Sequence, residues 1–116
     1  MAKDLQYVML FDCYGEFLTE RQKQVMELYY GEDLSLGEIS ELSGITRQAV
    51  RDSIKRSEEI LLDMESKLRF AERLSALREK FAEIDSAAAG MAENITSAAE
   101  KCSIIREKVQ EGLQLL

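Results

Sequence analysis

Leu18 to Arg56 reads LTERQKQVMELYYGEDLSLGEISELSGITRQAVRDSIKR, and its cap signals, glycine stops and one short turn fit together as a helix-turn-helix. Thr19 followed by Gln22 is a capping box: the hydroxyl accepts from the third helical N–H and the Gln side chain reaches back to the cap. A helix should therefore start at Glu20. Val25, Leu28 and Tyr29 give it one apolar face, and Gly31 stops it after Tyr30. Ser35 with Glu38 repeats the box, and Leu34 with Ile39 occupies the two positions of a hydrophobic staple, which predicts a short helix from Leu36 to Leu42. Ser43 and Gly44 break it. Thr46 caps the next helix, with Ile45 and Val50 as a second staple. Ile39, Leu42, Ile45, Val50 and Ile54 make the inner faces, and small Ser40 suits a close approach of the two helices. Two helices joined by a turn of about three or four residues that include a glycine are the geometry of a DNA-binding motif.

Outward from this motif the chain stays helical. Its 116 residues include no proline, and Ala, Leu, Glu, Lys and Arg dominate, so helix breakers are scarce and an all-α protein is expected. Lys3 to Tyr14 is apolar on nearly every side of a helix, which predicts burial on several sides, within one chain or across a dimer; Gly15 is its stop. Beyond Arg56, Ile60, Leu61, Met64 and Leu68 continue the pattern, so the second motif helix should run well past the needs of the turn. From Leu77 the spacing is regular. Leu77, Phe81, Ile84, Ala88, Met91, Ile95, Ala98, Cys102, Ile105 and Val109 alternate by fours and threes, a heptad seam. It thins at Asp85 to Gly90 (DSAAAG), where a bend or hairpin is expected. The division is a helix-turn-helix domain over 1–70 and a coiled-coil-like helical extension over 71–116. The seam is suited to an intermolecular coiled coil or a partner's helix on one reading, and to an antiparallel hairpin on the other; self-association, as a homodimer, is the favoured one.

The charge balance opposes the motif. Net charge is −7, with 9 basic and 14 acidic side chains in residues 1–70 and 6 and 8 in residues 71–116. A local basic face can still act on a polyanion within a Debye length of about 8 to 10 Å. With Val50 set inward, Arg51, Lys55, Gln48, Asp52 and Arg56 share the outward face of the second motif helix, and Arg47 lies nearer the core edge at its start. Thr46 to Arg56 holds four basic residues and one acidic, a charge of +3 inside an acidic chain. Arg suits guanine edges and Gln suits adenine. The competing reading is an ordinary solvated face, which Asp52 strengthens.

Other functions find little support. Cys13 and Cys102 are isolated thiols, expected reduced and at least half-buried, in a cytoplasmic protein. There is no histidine, no glycine-rich phosphate loop and no apolar run of the roughly 18 residues that a membrane span needs. Neither an enzyme, a metal site nor a cofactor is expected.

Residues Leu18 to Leu61 resemble region 4 of bacterial sigma factors. The longer stretch LFDCYGEFLTERQKQVMELYYGEDLSLGEISELSGITRQAVRDSIKRSEEILLDMESKL, Leu10 to Leu68, is similar to the YlxM-type proteins of Gram-positive bacteria. That resemblance implies a small cytoplasmic regulatory protein with a sigma-like helix-turn-helix, taking part in the signal recognition particle pathway. Two departures from a sigma factor stand out: the chain has no counterpart of the region that binds polymerase and melts promoters, and Ser53 stands where related motifs are often aliphatic, with Ile54 able to supply the missing contact. The expectation is a nonenzymatic regulator that binds DNA or RNA through Thr46, Arg47, Gln48, Arg51, Lys55 and Arg56. The alternative is an adaptor whose extension binds a partner such as the particle's GTPase, without nucleic-acid contact.

Overall fold

Capping chemistry sets where the helices begin in a computed structural model that describes residues 3–93 and 98–116. Helix α1 spans Gln6–Tyr14, with the Asp4 carboxylate accepting from the Gln6 amide at 3.0 Å. A 3₁₀ turn, Gly15–Phe17, leads to α2, Glu20–Met26, whose Thr19–Gln22 capping box is complete. A π-helical turn over Glu27–Gly31 extends α2, closed by Glu32 N–H donating to the Glu27 carbonyl at 3.0 Å. Met26 joins Val25 and Tyr29 in the core, and Leu28 is only half-buried.

Helix α3, Leu36–Ser43, opens on the Ser35–Glu38 capping box and ends on Gly44 in the left-handed region at φ 76°. An L side chain there would be strained, which is why glycine occupies the turn. Ser40 Oγ donates to the Ile45 carbonyl, tying the turn back to α3, and Ser43 Oγ donates to that of Ile39 within the helix. Thr46 Oγ1 accepts from the Ala49 amide at 3.0 Å and starts α4, Arg47–Leu68.

Helix α4 is the spine of the first compact unit, residues 1–71, with α1, α2 and α3 packed on it. Its inner row is Val50, Ile54, Ser57 and Leu61, all fully buried at helical spacing. Lys3 closes the opposite edge: its ammonium donates to the carbonyls of Tyr29 and Leu34, pairs with Asp33 at 2.7 Å and lies 4.3 Å from the centre of the Tyr29 ring. Two expectations are corrected here. Within one chain, helix α1 does not bury several sides: Leu10 and Tyr14 are buried, while Leu5 is 76% exposed and Val8 and Met9 are also exposed. Leu42, assigned to the inner face, is 66% exposed, because α3 spans only two turns and buries its middle one through Ile39.

The second unit, residues 72–116, is an antiparallel hairpin. Helix α5 spans Phe70–Glu93 and α6 spans Ala98–Gln114. Gly112 is buried against Leu77 near one end, and Gly90 lies over the Lys101 stem near the other. Ion pairs Lys80–Glu111 at 2.8 Å and Lys108–Glu83 at 3.0 Å cross between the helices. Asp85 to Gly90 is helical throughout, so the expected bend is not there; alanine is the best helix former and offsets one glycine. The seam is also rotated by one position: Leu77, Ile84 and Met91 turn inward as expected, but Lys80 and Ala87 take the intervening places of Phe81 and Ala88. Cys102 is exposed rather than half-buried, and neither cysteine forms a disulfide. Ile95, also assigned to the seam, lies outside the described residues.

Candidate nucleic-acid interface

The exposed start of α4 follows from how its inner row is spaced. Val50 and Ile54 are held in the core, which turns Gln48, Arg51, Asp52, Lys55 and Arg56 outward, and all five are exposed together with Thr46 and Arg47. Neither Arg51, Lys55 nor Arg56 has an ion pair among the described residues. Their charged groups are therefore free of direct ion pairs, which suits a phosphate-binding face.

Arg47 differs from the other three cations. A methyl group placed on Gly37 would come within 2.9 Å of Arg47 Nη2, so the guanidinium lies directly over the first turn of α3. Glycine at 37 makes that seat possible. The guanidinium thus lies beside the start of α3 while the residue stays exposed.

Asp52 is engaged within its own helix, where its Oδ1 accepts from Gln48 Nε2 at 2.9 Å. The pairing engages the Gln48 amide nitrogen. It moderates the argument that Asp52 raises against a polyanion, since the carboxylate is partly satisfied and the three unpaired cations flank it. Arg21 is a cation that sequence reasoning missed. It sits in the first turn of α2, exposed, and donates from Nη1 to the Ser43 carbonyl at 3.4 Å, beside the motif turn. Its helix lies outside the motif proper, so only tertiary packing brings it there. Lys23, two residues on, is already engaged: the hydrogen bond to Glu16 at 3.1 Å, with Glu20 adding to it, holds its ammonium pKa above the usual lysine value.

Among the described residues, no group of three or more His, Cys, Asp or Glu side chains could hold a metal ion. No described helix is long and apolar enough to cross a membrane.

A family model described as "Putative helix-turn-helix protein, YlxM / p13 like" (UPF0122) matches residues 1–110. Among curated relatives, a UPF0122 protein of Desulforamulus reducens is 50% identical over 76 residues, covering 66% of this chain and 65% of that one. One from Clostridium novyi is 51% identical over 73 residues, covering 63% and 64%. The aligned part thus spans a little under two thirds of each of these two relatives. A UPF0122 protein of Shouchella clausii is 38% identical over 111 residues and covers 96% of this chain and 97% of its own length. The chain belongs to this helix-turn-helix family.

Proposed function

We propose that this member of the family is a nonenzymatic cytoplasmic regulator that binds nucleic acid, DNA or RNA, through the start of α4. Gln48, Arg51, Lys55 and Arg56 face the ligand, while Thr46 and Arg47 anchor the helix start to phosphates. The observation that supports this best is the set of three unpaired cations and a seated arginine on one exposed face, in a chain that is otherwise acidic. Phosphate contacts supply affinity and orientation, and base edges supply whatever sequence preference exists. The resemblance to YlxM-type proteins implies a part in the signal recognition particle pathway, and on that reading an RNA–protein particle is a natural ligand. One copy offers few phosphate contacts, so a homodimer would bind more tightly than a monomer.

The test is charge reversal of Arg51 and Lys55 together, read as affinity at low salt for a random-sequence DNA duplex and for a single-stranded RNA. Affinity should fall by about 10-fold or more, and the slope of log affinity against log salt should flatten by roughly 0.7 to 0.9 per lost contact. Unchanged affinity with retained helicity removes this site from consideration.

A second reading has its own observation. Apolar residues of α5 and α6 are exposed along the hairpin, which suits an adaptor that binds a partner helix, such as one on the particle's GTPase. Pull-down from lysate with and without nuclease separates the two. Capture of particle components that survives nuclease favours the adaptor, and capture that nuclease abolishes favours nucleic-acid binding.

A further inference from the structure

The hairpin of α5 and α6 uses only half of its heptad seam. Leu77, Ile84 and Met91 on α5 and Ala98, Ile105 and Gly112 on α6 are half-buried or buried between the two helices. The other half is left in solvent. On α5 these are Leu74, Phe81 and Ala88, seven residues apart; on α6 they are Cys102 and Val109, also seven apart, with Leu113 one turn further. Phe81 is 65% exposed and Val109 42%.

These two rows lie on one side of the hairpin. At about 100° per residue, Phe81 and Ala88 are rotated by roughly 40 to 60° from Ile84, and Val109 and Cys102 by the same amount and in the same sense from Ile105. Because the helices are antiparallel, equal rotations of the same sense carry both rows to the same broad face. Rotation in the opposite sense leads to Glu83 and Glu111, and their ion pairs with Lys108 and Lys80 mark the other face. The hairpin therefore has one face closed by charge and one open and apolar.

We propose that a second copy of this chain covers the open face, so that two hairpins form a four-helix bundle about a twofold axis. A twofold contact needs a surface that is complementary to itself, and a row of uncharged residues repeating every seven positions on both helices supplies one. Each helix of a four-helix bundle touches two neighbours, which is why it carries a second apolar row beside the first. The area suffices. The six exposed side chains offer about 500 Å² per copy and about 1,000 Å² for the pair, the size at which a specific interface becomes plausible before the flanking aliphatic stems are added. The charged residues that border the rows, Arg78 and Asp85 on α5 and Arg106 on α6, are of both signs, so the face does not select an acidic or basic partner in preference to an identical face.

This pairing is independent of nucleic-acid binding and is measured without any nucleic acid. Sedimentation equilibrium of the full chain from about 1 to about 100 µM should give twice the 13.2 kDa chain mass at the upper end. Phe81→Lys combined with Val109→Lys should give a monomer over that range, a weakening of at least about 100-fold, with helicity by circular dichroism unchanged because neither side chain lies between α5 and α6. In a Cys13→Ser background, reaction of Cys102 with a bulky maleimide should slow as concentration rises. A monomeric wild type at about 100 µM overturns the proposal, whether or not the face then captures a different helix. A dimer that survives the double substitution, with Cys102 labelling indifferent to concentration, also overturns it.

Discussion

Ser53 lies on the flank of the α4 inner row with its hydroxyl oxygen shut away from solvent and without a hydrogen-bond partner. Its neighbour Ser57 is fully buried but satisfied, donating from Oγ to the Ser53 carbonyl at 2.7 Å. An unpaired buried hydroxyl is unfavourable, and serine is a poorer helix former than alanine. Ser53→Ala should therefore stabilise the protein by about 0.5 to 1.5 kcal/mol, read as a higher urea midpoint at unchanged m-value. A lower midpoint would mean that the hydroxyl has an unseen partner. Ile54, fully buried, supplies the apolar contact expected of it beside this serine, which was legible because it follows Val50 by four residues on the inner face. Arg47 was legible only in part. The wheel placed it near the core edge, but its seat over Gly37 depends on a residue ten positions earlier that no local pattern links to it.

Local chemistry was the most readable feature of the individual elements. Both capping boxes, the Thr46 cap and the left-handed Gly44 appear where their residue types place them, because each is decided within four residues of chain. The joint between α4 and α5 was not readable in this way. No glycine or proline separates the two helices; Arg69 adopts φ 57°, a conformation that costs a non-glycine residue roughly 1 to 2 kcal/mol. Its support comes from far away in sequence. Tyr14 donates from its hydroxyl to Glu65 Oε1 at 2.6 Å and accepts from the Phe70 amide at 2.9 Å, while the Ala71 amide donates to the same carboxylate oxygen at 3.0 Å. Two of the orphan amides that open α5 are thus capped by side chains of α1 and α4. Burial, then the bond to Glu65, raises the pKa of the Tyr14 hydroxyl, so it stays protonated and able to donate. Tyr14→Phe removes both bonds while keeping the ring that stacks on Phe70, and it should cost about 1 to 3 kcal/mol by thermal or urea unfolding. A cost below about 0.5 kcal/mol would show that water replaces the hydroxyl without loss. The heptad register of α5 and α6 failed for a related reason: two adjacent rows are both apolar enough to face a partner, and Lys80 and Lys108 turn inward because their ammonium groups find Glu111 and Glu83 across the hairpin.

At the scale of the molecule, the net charge of −7 hides a division of labour among the carboxylates. Some are part of the fold and others only add to the background that a nucleic acid must overcome. Glu111 belongs to the first group: the Lys80 ammonium 2.8 Å away, reinforced by Lys108, holds its pKa below the ordinary 4.5. Asp33 is depressed below 3.8 by its bond to Lys3. A carboxylate whose folded pKa lies below its unfolded value stabilises fully above the unfolded value and loses that contribution as pH falls through the folded one. Stability should therefore stay level from pH 7 down to about 5 and fall below about 4.5, where these pairs and the chain's other carboxylates begin to protonate. Glu111→Gln isolates the hairpin's share. Its melting temperature should be below the wild type's at pH 7, and the difference should shrink as both are acidified, since the wild type then loses the same charge. The gap is measured by following helicity at 222 nm on heating, at matched ionic strength and at a fixed concentration, because a paired hairpin melts at a concentration-dependent temperature. A gap that stays constant from pH 7 to 3 would show that Glu111 acts through packing and that its ion pairs with Lys80 and Lys108 contribute nothing measurable, as is the case for many surface pairs. A gap that closes would show that the charged face holds the hairpin together, which leaves the opposite, apolar face available for the second copy.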